Sequence, residues 1–412
     1  MYNDYRMNDQ NVKDYQRYER TIKTINKRFK TYGYERIKTP MFEQYDLYSQ
    51  VKSSINQKEM MKIINRTGEV SVLRPDITVP ITKQLADNYP KLPNDLRYYY
   101  VQDVFRQSSF EEDSIEGTQA GVEYFCETSP EADAEVIALA CHTLKDLGFS
   151  EIKIEMGHAG FFQELIQMID LDTPDIEQLK GLIQAKNIVE LRPFLKQFNI
   201  AEDIIDAIVT IPMLYGNPME VSERAENMIK TEKMDETLAY LLEVYEILKL
   251  YGLKDNIVLD LGLINHMGYY SDVIFQGFVE KFGKPVLMGG RYNQLGNEFG
   301  ADLPAIGFAC EVESLVTALT TGTVSVRTPI DIKILYGDDN LQQSILIANE
   351  LRERNYTVLS YPLLKASSNV QDSIYQLMIS NDQNIFKYRE EETSFQSLNE
   401  LLKMLNGAKG AM

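Results

Sequence analysis

Between about residues 171 and 255 the chain changes character: apolar residues recur at helical spacing among many Glu and Lys, and strand signals are few. Runs rich in β-branched and aromatic residues stand on both sides of this tract. The expected architecture is therefore α+β, a strand-rich body interrupted by a helical insertion. At 412 residues the chain also exceeds what one hydrophobic core fills, so two or three domains are expected.

The flanking elements follow from pattern and punctuation. Tyr18, Ile22, Ile25 and Phe29 repeat at helical spacing, and Gly33 supplies a stop. Strands are expected over Met61 to Val72 and over Leu96 to Val104, the second holding Tyr98, Tyr99 and Tyr100. Thr128 or Ser129 caps a second helix, with Pro130 in its first turn, Glu131 and Asp133 at its positive end, and Gly148 closing it. Ile152, Ile154 and Met156 alternate as a half-buried strand, and a helix is expected from Phe161. After the insertion, strand character returns at Ile257 to Leu261 and continues through Phe275, a turn at Gly289 and Gly290, and Ile306 to Ala309. Thr321 to Pro329 lacks periodicity and reads as a linker. The expected domains are thus a core over residues 1–320 and a small C-terminal α/β domain over 330–412. In the latter Ile330, Ile332 and Ile334 mark a strand, Leu341, Ile345, Ala348 and Leu351 a helix, Val358 to Tyr361 a second strand, and Leu398, Leu401, Leu402 and Leu405 a closing helix.

Several function classes are disfavoured. No apolar run approaches the ~20 residues that span a bilayer, and the N-terminus, with Asp4, Arg6 and Asp9, lacks a signal-peptide core, so a cytoplasmic protein is expected, with no membrane partner. Cys126, Cys141 and Cys310 lie far apart and only three histidines are present, so no disulfide framework, no metal centre and no cofactor are expected. A formal net charge of −19 lowers the expectation of tRNA or DNA binding, which needs cations to displace counterions.

Candidate binding residues cluster in three segments. In a strand, period 2 puts Gln119, Gly121 and Glu123 on one face, with the glycine leaving room for a ligand. Arg106 offers a planar fork for a carboxylate, and Asp76 with Thr78 offers an anion and a hydroxyl for an ammonium group. Tyr269 and Tyr270 offer ring faces and hydroxyls. Each segment alone has a bland explanation in a turn, a polar sheet edge or a core tyrosine. His158 and His266 read as packed or surface histidines, and the basic stretches Arg20 to Lys30 and Lys62 to Arg66 as solvated faces.

Four segments of the chain, in order, resemble the histidyl-tRNA synthetase branch of the class II synthetases, and three of them hold these candidates. GYERIKTPMFE, Gly33 to Glu43, is similar to motif 1, which builds that family's dimer interface. LRPDITVP, Leu73 to Pro80, is similar to its Arg-Pro-Glu-x-Thr segment. VFR from Val104 and EGTQAGVE up to Glu123 resemble motif 2, an antiparallel strand pair. GYYSDVIF from Gly268, GGRYNQLGNEF and PAIGFACEVESL resemble the histidine-specific Tyr-Tyr segment and motif 3. The resemblance implies a class II synthetase-like antiparallel sheet flanked by helices. It also implies a histidine site in which Asp76, Thr78 and Gln119 take the amino group, Arg106 the carboxylate, and Glu123, Tyr269 and Tyr270 the ring.

The departures from that family concern the nucleotide. Where the synthetase has Arg-Gly-Leu-Asp, this chain has Asn265, His266, Met267 and Gly268; Ser314 follows Glu313 in place of an arginine; Thr118 replaces a histidine. The motif 2 loop, Gln107 to Ile115, carries Glu111, Glu112 and Asp113, which would repel a triphosphate. EGTQAGVE and GHAGFF, Gly157 to Phe162, closely resemble the regulatory subunits of short-form ATP phosphoribosyltransferase. That resemblance implies a non-catalytic protein that dimerises through its core, joins catalytic subunits in a hetero-octamer and imposes feedback inhibition by L-histidine on the first step of histidine biosynthesis. The C-terminal domain sits where the synthetase binds anticodons, but Glu390, Glu391 and Glu392 suit RNA poorly. An active histidyl-tRNA synthetase, or a paralogue activating an amino acid for another acceptor, is the competing reading.

Overall fold

The computed structural model describes residues 9–51, 57–88, 95–107, 115–226, 228, 231–264, 268–320, 330–363, 373–389 and 391–410. They divide into two compact units, Met1–Val324 and Ser325–Met412. The linker expected at Thr321 to Pro329, the loop acids Glu111 to Asp113, and Asn265 to Met267 lie outside the described residues.

The first unit opens with helix α1 (Asp9–Thr31), which ends before Gly33 at φ 81°, a left-handed turn that glycine adopts without strain. Strands β1 (Glu35–Arg36) and β2 (Phe42–Gln44) and helix α2 (Tyr45–Gln50) follow. The stretch expected as one strand from Met61 is a hairpin, β3 (Lys62–Ile64) and β4 (Val70–Leu73), because Asn65 and Gly68, the latter at φ 87°, fold a tight turn inside it. Helix α3 (Thr78–Asn88) and the long strands β5 (Leu96–Phe105) and β6 (Glu116–Phe125) come next.

Helix α4 (Pro130–Asp146) is capped by Ser129, whose Oγ accepts from Ala132 N at 3.4 Å, and Gly148 takes φ 99° behind it. Strand β7 (Ile152–His158) leads into α5 (Ala159–Ile166). The helical tract contains α6 (Thr173–Gln184), α7 (Ile188–Leu195), α8 (Glu202–Thr210), α9 (Pro218–Ala225) and α10 (Glu232–Leu250), with the short strand β8 (Tyr215–Gly216) among them. Strands β9 (Ile257–Asp260), β10 (Val273–Val279), β11 (Leu287–Arg291) and β12 (Ala305–Glu311) return to the body, and α11 (Val312–Thr320) ends it.

Nine of these strands form one sheet in the order β1-β5-β6-β12-β11-β10-β7-β9-β8, antiparallel from β5 to β7 with parallel pairs at β1·β5 and β7·β9. The turn expected at Gly289 and Gly290 is not one: both lie inside β11, paired with Phe308 and Gly307 of β12. They are glycines because a Cβ on Gly289 would strike Phe308 and Phe275, and one on Gly290 would strike the Tyr270 ring at 2.7 Å. One core cluster joins the sheet to α1, α4 and α10 through residues such as Phe29, Ile137 and Leu241. A second, around Ile77, Tyr100, Tyr269 and Tyr292, links α3 to the cavity-bearing strands.

The second unit holds β13 (Ile332–Tyr336), α12 (Leu341–Glu353), β14 (Val358–Pro362), β15 (Tyr375–Ile379), β16 (Asn384–Tyr388), β17 (Glu391–Phe395) and α13 (Leu398–Gly410). Its sheet order is β14-β13-β15-β16-β17. The last three strands go beyond the sequence reading, since polar residues such as Gln376, Asn384 and Glu392 dilute their apolar signal.

Candidate functional site

Seven residues separated by up to 194 positions in the chain, Asp76, Thr78, Arg106, Gln119, Glu123, Tyr269 and Tyr270, line a single cavity of about 690 Å³. Its floor is the middle of the large sheet. β6 supplies Gln119 and Glu123, β12 places Gly307 opposite Glu123, and β11 places Gly290 opposite Gly307. Both glycines are needed there, because a Cβ on Gly307 would overlap the Glu123 carboxylate.

Glu123 is the centre of the closed end. Thr78 donates its hydroxyl to Oε1 at 2.6 Å, Tyr292 donates to Oε2, and Tyr100 reaches Oε1 at 3.5 Å. Burial pushes the Glu123 carboxyl up to about 8, although the hydrogen bonds from Thr78 and Tyr292 favour its charged form. Tyr269 and Tyr270 pack beside it with ring centroids 4.9 Å apart, and Tyr269 meets the Tyr292 ring edge-on at 5.7 Å. This end therefore presents aromatic faces and an acceptor, a surrounding that suits a small ring bearing an N–H.

Asp76 stands at the start of α3, where its Oδ1 accepts from Val79 N at 2.7 Å. Burial raises its pKa, with Arg106 acting in the opposite direction. Arg106 donates Nε to Pro75 O at 2.7 Å, while its Nη2 is buried with no hydrogen-bond partner among the described residues. A buried guanidinium donor left unpaired is costly, and a carboxylate delivered to the cavity would satisfy it. The room expected over Gly121 is already taken: a side chain there would collide with the Tyr100 hydroxyl at 2.5 Å. That glycine admits a protein side chain, not a ligand.

The open end differs in charge. Glu59, Glu116, Glu311 and Glu313 line it with Lys284, beside the apolar Val286, Met288 and Phe308. Ser314 donates to Glu311 at 3.0 Å, and the Thr118 N–H donates to Glu313 at 3.0 Å. Thr118 Oγ1 donates to Asp103 at 2.8 Å and meets the Tyr18 hydroxyl at 2.7 Å. His158 is packed away from this chemistry, its Nδ1 accepting from Gly160 N at the start of α5 and its pKa pushed down to about 4 by burial. Among the described residues no group of three or more His, Cys, Asp or Glu could hold a metal.

Tyr100, Tyr292 and Gly307 carry the Glu123 site and have no assigned role in the sequence. Only the pairing register brings them there, although Tyr292 does stand in the GGRYN run.

A family model described as Histidyl-tRNA synthetase matches residues 6–315. The ATP phosphoribosyltransferase regulatory subunit of Oceanobacillus iheyensis is 42% identical, over 95% of this chain and 95% of that one. The protein of the same name from Ruminiclostridium cellulolyticum is 32% identical, over 91% and 93%. A solved structure from Bacillus halodurans, described as an ATP phosphoribosyltransferase regulatory subunit/histidyl-tRNA synthetase, superposes with a TM-score of 0.77 at 28% identity, covering 89% of this chain and 95% of that one. Histidyl-tRNA synthetase from Nostoc sp. PCC 7120 superposes with a TM-score of 0.78 over 95% and 96%, at 16% identity, a likeness of fold alone. Similar in fold to the class II synthetases, and in sequence to these regulatory proteins along nearly all of its length, the chain belongs to the ATP phosphoribosyltransferase regulatory subunit family.

Proposed function

We propose that this chain is the non-catalytic regulatory subunit of a short-form ATP phosphoribosyltransferase in the cytoplasm and that its cavity senses L-histidine. The carrying observation is the division of that cavity into two ends of opposite character. The closed end offers Arg106 Nη2 to a carboxylate, Asp76, Thr78 and Gln119 to an ammonium group, and Glu123 with Tyr269 and Tyr270 to an imidazole. The open end, where a synthetase would hold ATP, is lined among the described residues by four glutamates and one lysine, a poor setting for a triphosphate whose charge must be stabilised in the transition state.

Assembly follows the resemblance: a core dimer joins catalytic subunits into a hetero-octamer, and histidine binds one state of that assembly better than another. Substrate and histidine then oppose each other reciprocally. Arg106→Ala and Glu123→Gln are expected to raise the histidine concentration for half-inhibition by at least tenfold while leaving the complex intact, because each removes a charged or hydrogen-bonding partner worth about 1.5–3 kcal/mol. Steady-state turnover of the assembled enzyme, with size-exclusion chromatography as control, measures this. Inhibition that survives both substitutions would place the histidine site elsewhere. An active synthetase would catalyse histidine-dependent exchange of pyrophosphate into ATP; the regulatory reading expects none, and appreciable exchange would defeat it.

A further inference from the structure

Arg291 is among the largest fully buried side chains of the molecule, and it lies at the end of β11 between two residues that shape the ring end of the cavity. Gly290, before it, makes room for the Tyr270 ring; Tyr292, after it, donates its hydroxyl to Glu123. Strand alternation sends Arg291 to the opposite face, where α4 packs. There Nε donates to Asp133 Oδ1 at 2.8 Å with Nη2 on the same oxygen, and Nη1 donates to Glu127 O at 2.7 Å. The Arg291 carbonyl also accepts from Ser271 N at 2.8 Å, one residue beyond Tyr270.

The second oxygen of Asp133 is held by a different part of the molecule. Tyr240, on α10 of the helical insertion, donates its hydroxyl to Asp133 Oδ2 at 2.8 Å. One hydrogen-bonded chain thus runs Tyr240 to Asp133 to Arg291, and the backbone at Arg291 fixes both Tyr292 and the Tyr269–Tyr270 segment. A fully buried ion pair is weak evidence of a stabilising role, since its desolvation offsets much of its attraction. What it supplies here is a fixed orientation, because breaking either partner leaves a charge unpaired in the core.

We infer that Tyr240, Asp133 and Arg291 are positioning residues for ring recognition, and that Tyr240 ties the helical insertion to the ring end of the cavity. This deepens the histidine reading and rests on it for its ligand arm. Tyr240→Phe removes one hydroxyl and keeps the ring packing. Calorimetry on the full chain with L-histidine and its two ring N-methyl isomers is expected to show the variant losing about 3- to 10-fold in discrimination between histidine and the isomers. Asp133→Asn, which keeps the shape, is expected to lose at least as much. Equal weakening toward all three ligands would reduce Tyr240 to a purely structural residue and overturn the inference.

A ligand-free measurement separates the two readings. In Tyr240→Phe, amide exchange at Ser271 and Asn293 is expected to accelerate about threefold or more while β12 keeps its protection. Unchanged exchange overturns the relay whatever the protein does with histidine. Wild-type protein that takes up no histidine, yet shows the accelerated exchange in the variant, overturns the histidine reading and leaves the relay standing.

Discussion

Glu123 shows how burying one carboxyl makes stability depend on pH. Burial holds its carboxyl up at about 8 and that of Glu43 up to about 7, the latter against the opposing charge of Arg74. Both folded-state values exceed the ~4.3 of an unfolded glutamate, so the folded chain binds more protons than the unfolded one, and stability falls as pH rises through the folded values. His158, pushed down to about 4, acts the other way: it withdraws stability as pH falls below ~6.5. The urea midpoint is therefore expected to decline between about pH 6.5 and 8, and Glu123→Gln to flatten that decline. A variant with the wild-type slope would show that this carboxyl titrates normally in the fold. The sequence singles out Asp76, Thr78, Arg106, Gln119, Glu123, Tyr269 and Tyr270 as one set of candidates, and the fold brings all seven to one cavity. Their partners are not singled out, because Tyr100 and Tyr292 act through cross-strand register and not through neighbouring positions.

At the level of the element, glycine separates what pattern can reveal from what packing imposes. Gly33, Gly148 and the capping Ser129 are readable as helix punctuation because their requirement is local, a positive φ or a hydrogen bond to the next turn. Gly289 and Gly290 read falsely as a turn because their requirement is tertiary: β12 and the Tyr270 ring occupy the space a side chain would fill. Gly307→Ala is expected to destabilise the chain by about 1–3 kcal/mol through collision with Glu123, with an unchanged denaturant slope. Gly181→Ala should do the reverse. It sits exposed inside α6 with no atom of the described residues within 4 Å of the place an added methyl would take, so alanine is expected to raise stability by about 0.5–1 kcal/mol. Equilibrium urea unfolding of the two variants checks both signs.

Over the whole molecule the excess of 19 negative charges disfavours a polyanion as partner. A gel-shift titration with tRNA at about 50 mM salt is expected to give no complex below ~10 µM protein, and a salt-sensitive complex in that range would reveal a basic surface that outweighs the net charge. The expectations of helices and strands, of a helical insertion and of a division near residue 320 rest on periodicity and composition, which act over a few residues. The sheet order β1-β5-β6-β12-β11-β10-β7-β9-β8 does not, because non-local pairing depends on which faces find each other after the chain collapses. That pairing alone sets Glu123 against Gly307, threads Arg291 to Asp133 behind the sheet, and turns scattered residues into a cavity with one end buried among tyrosines and the other lined with carboxylates.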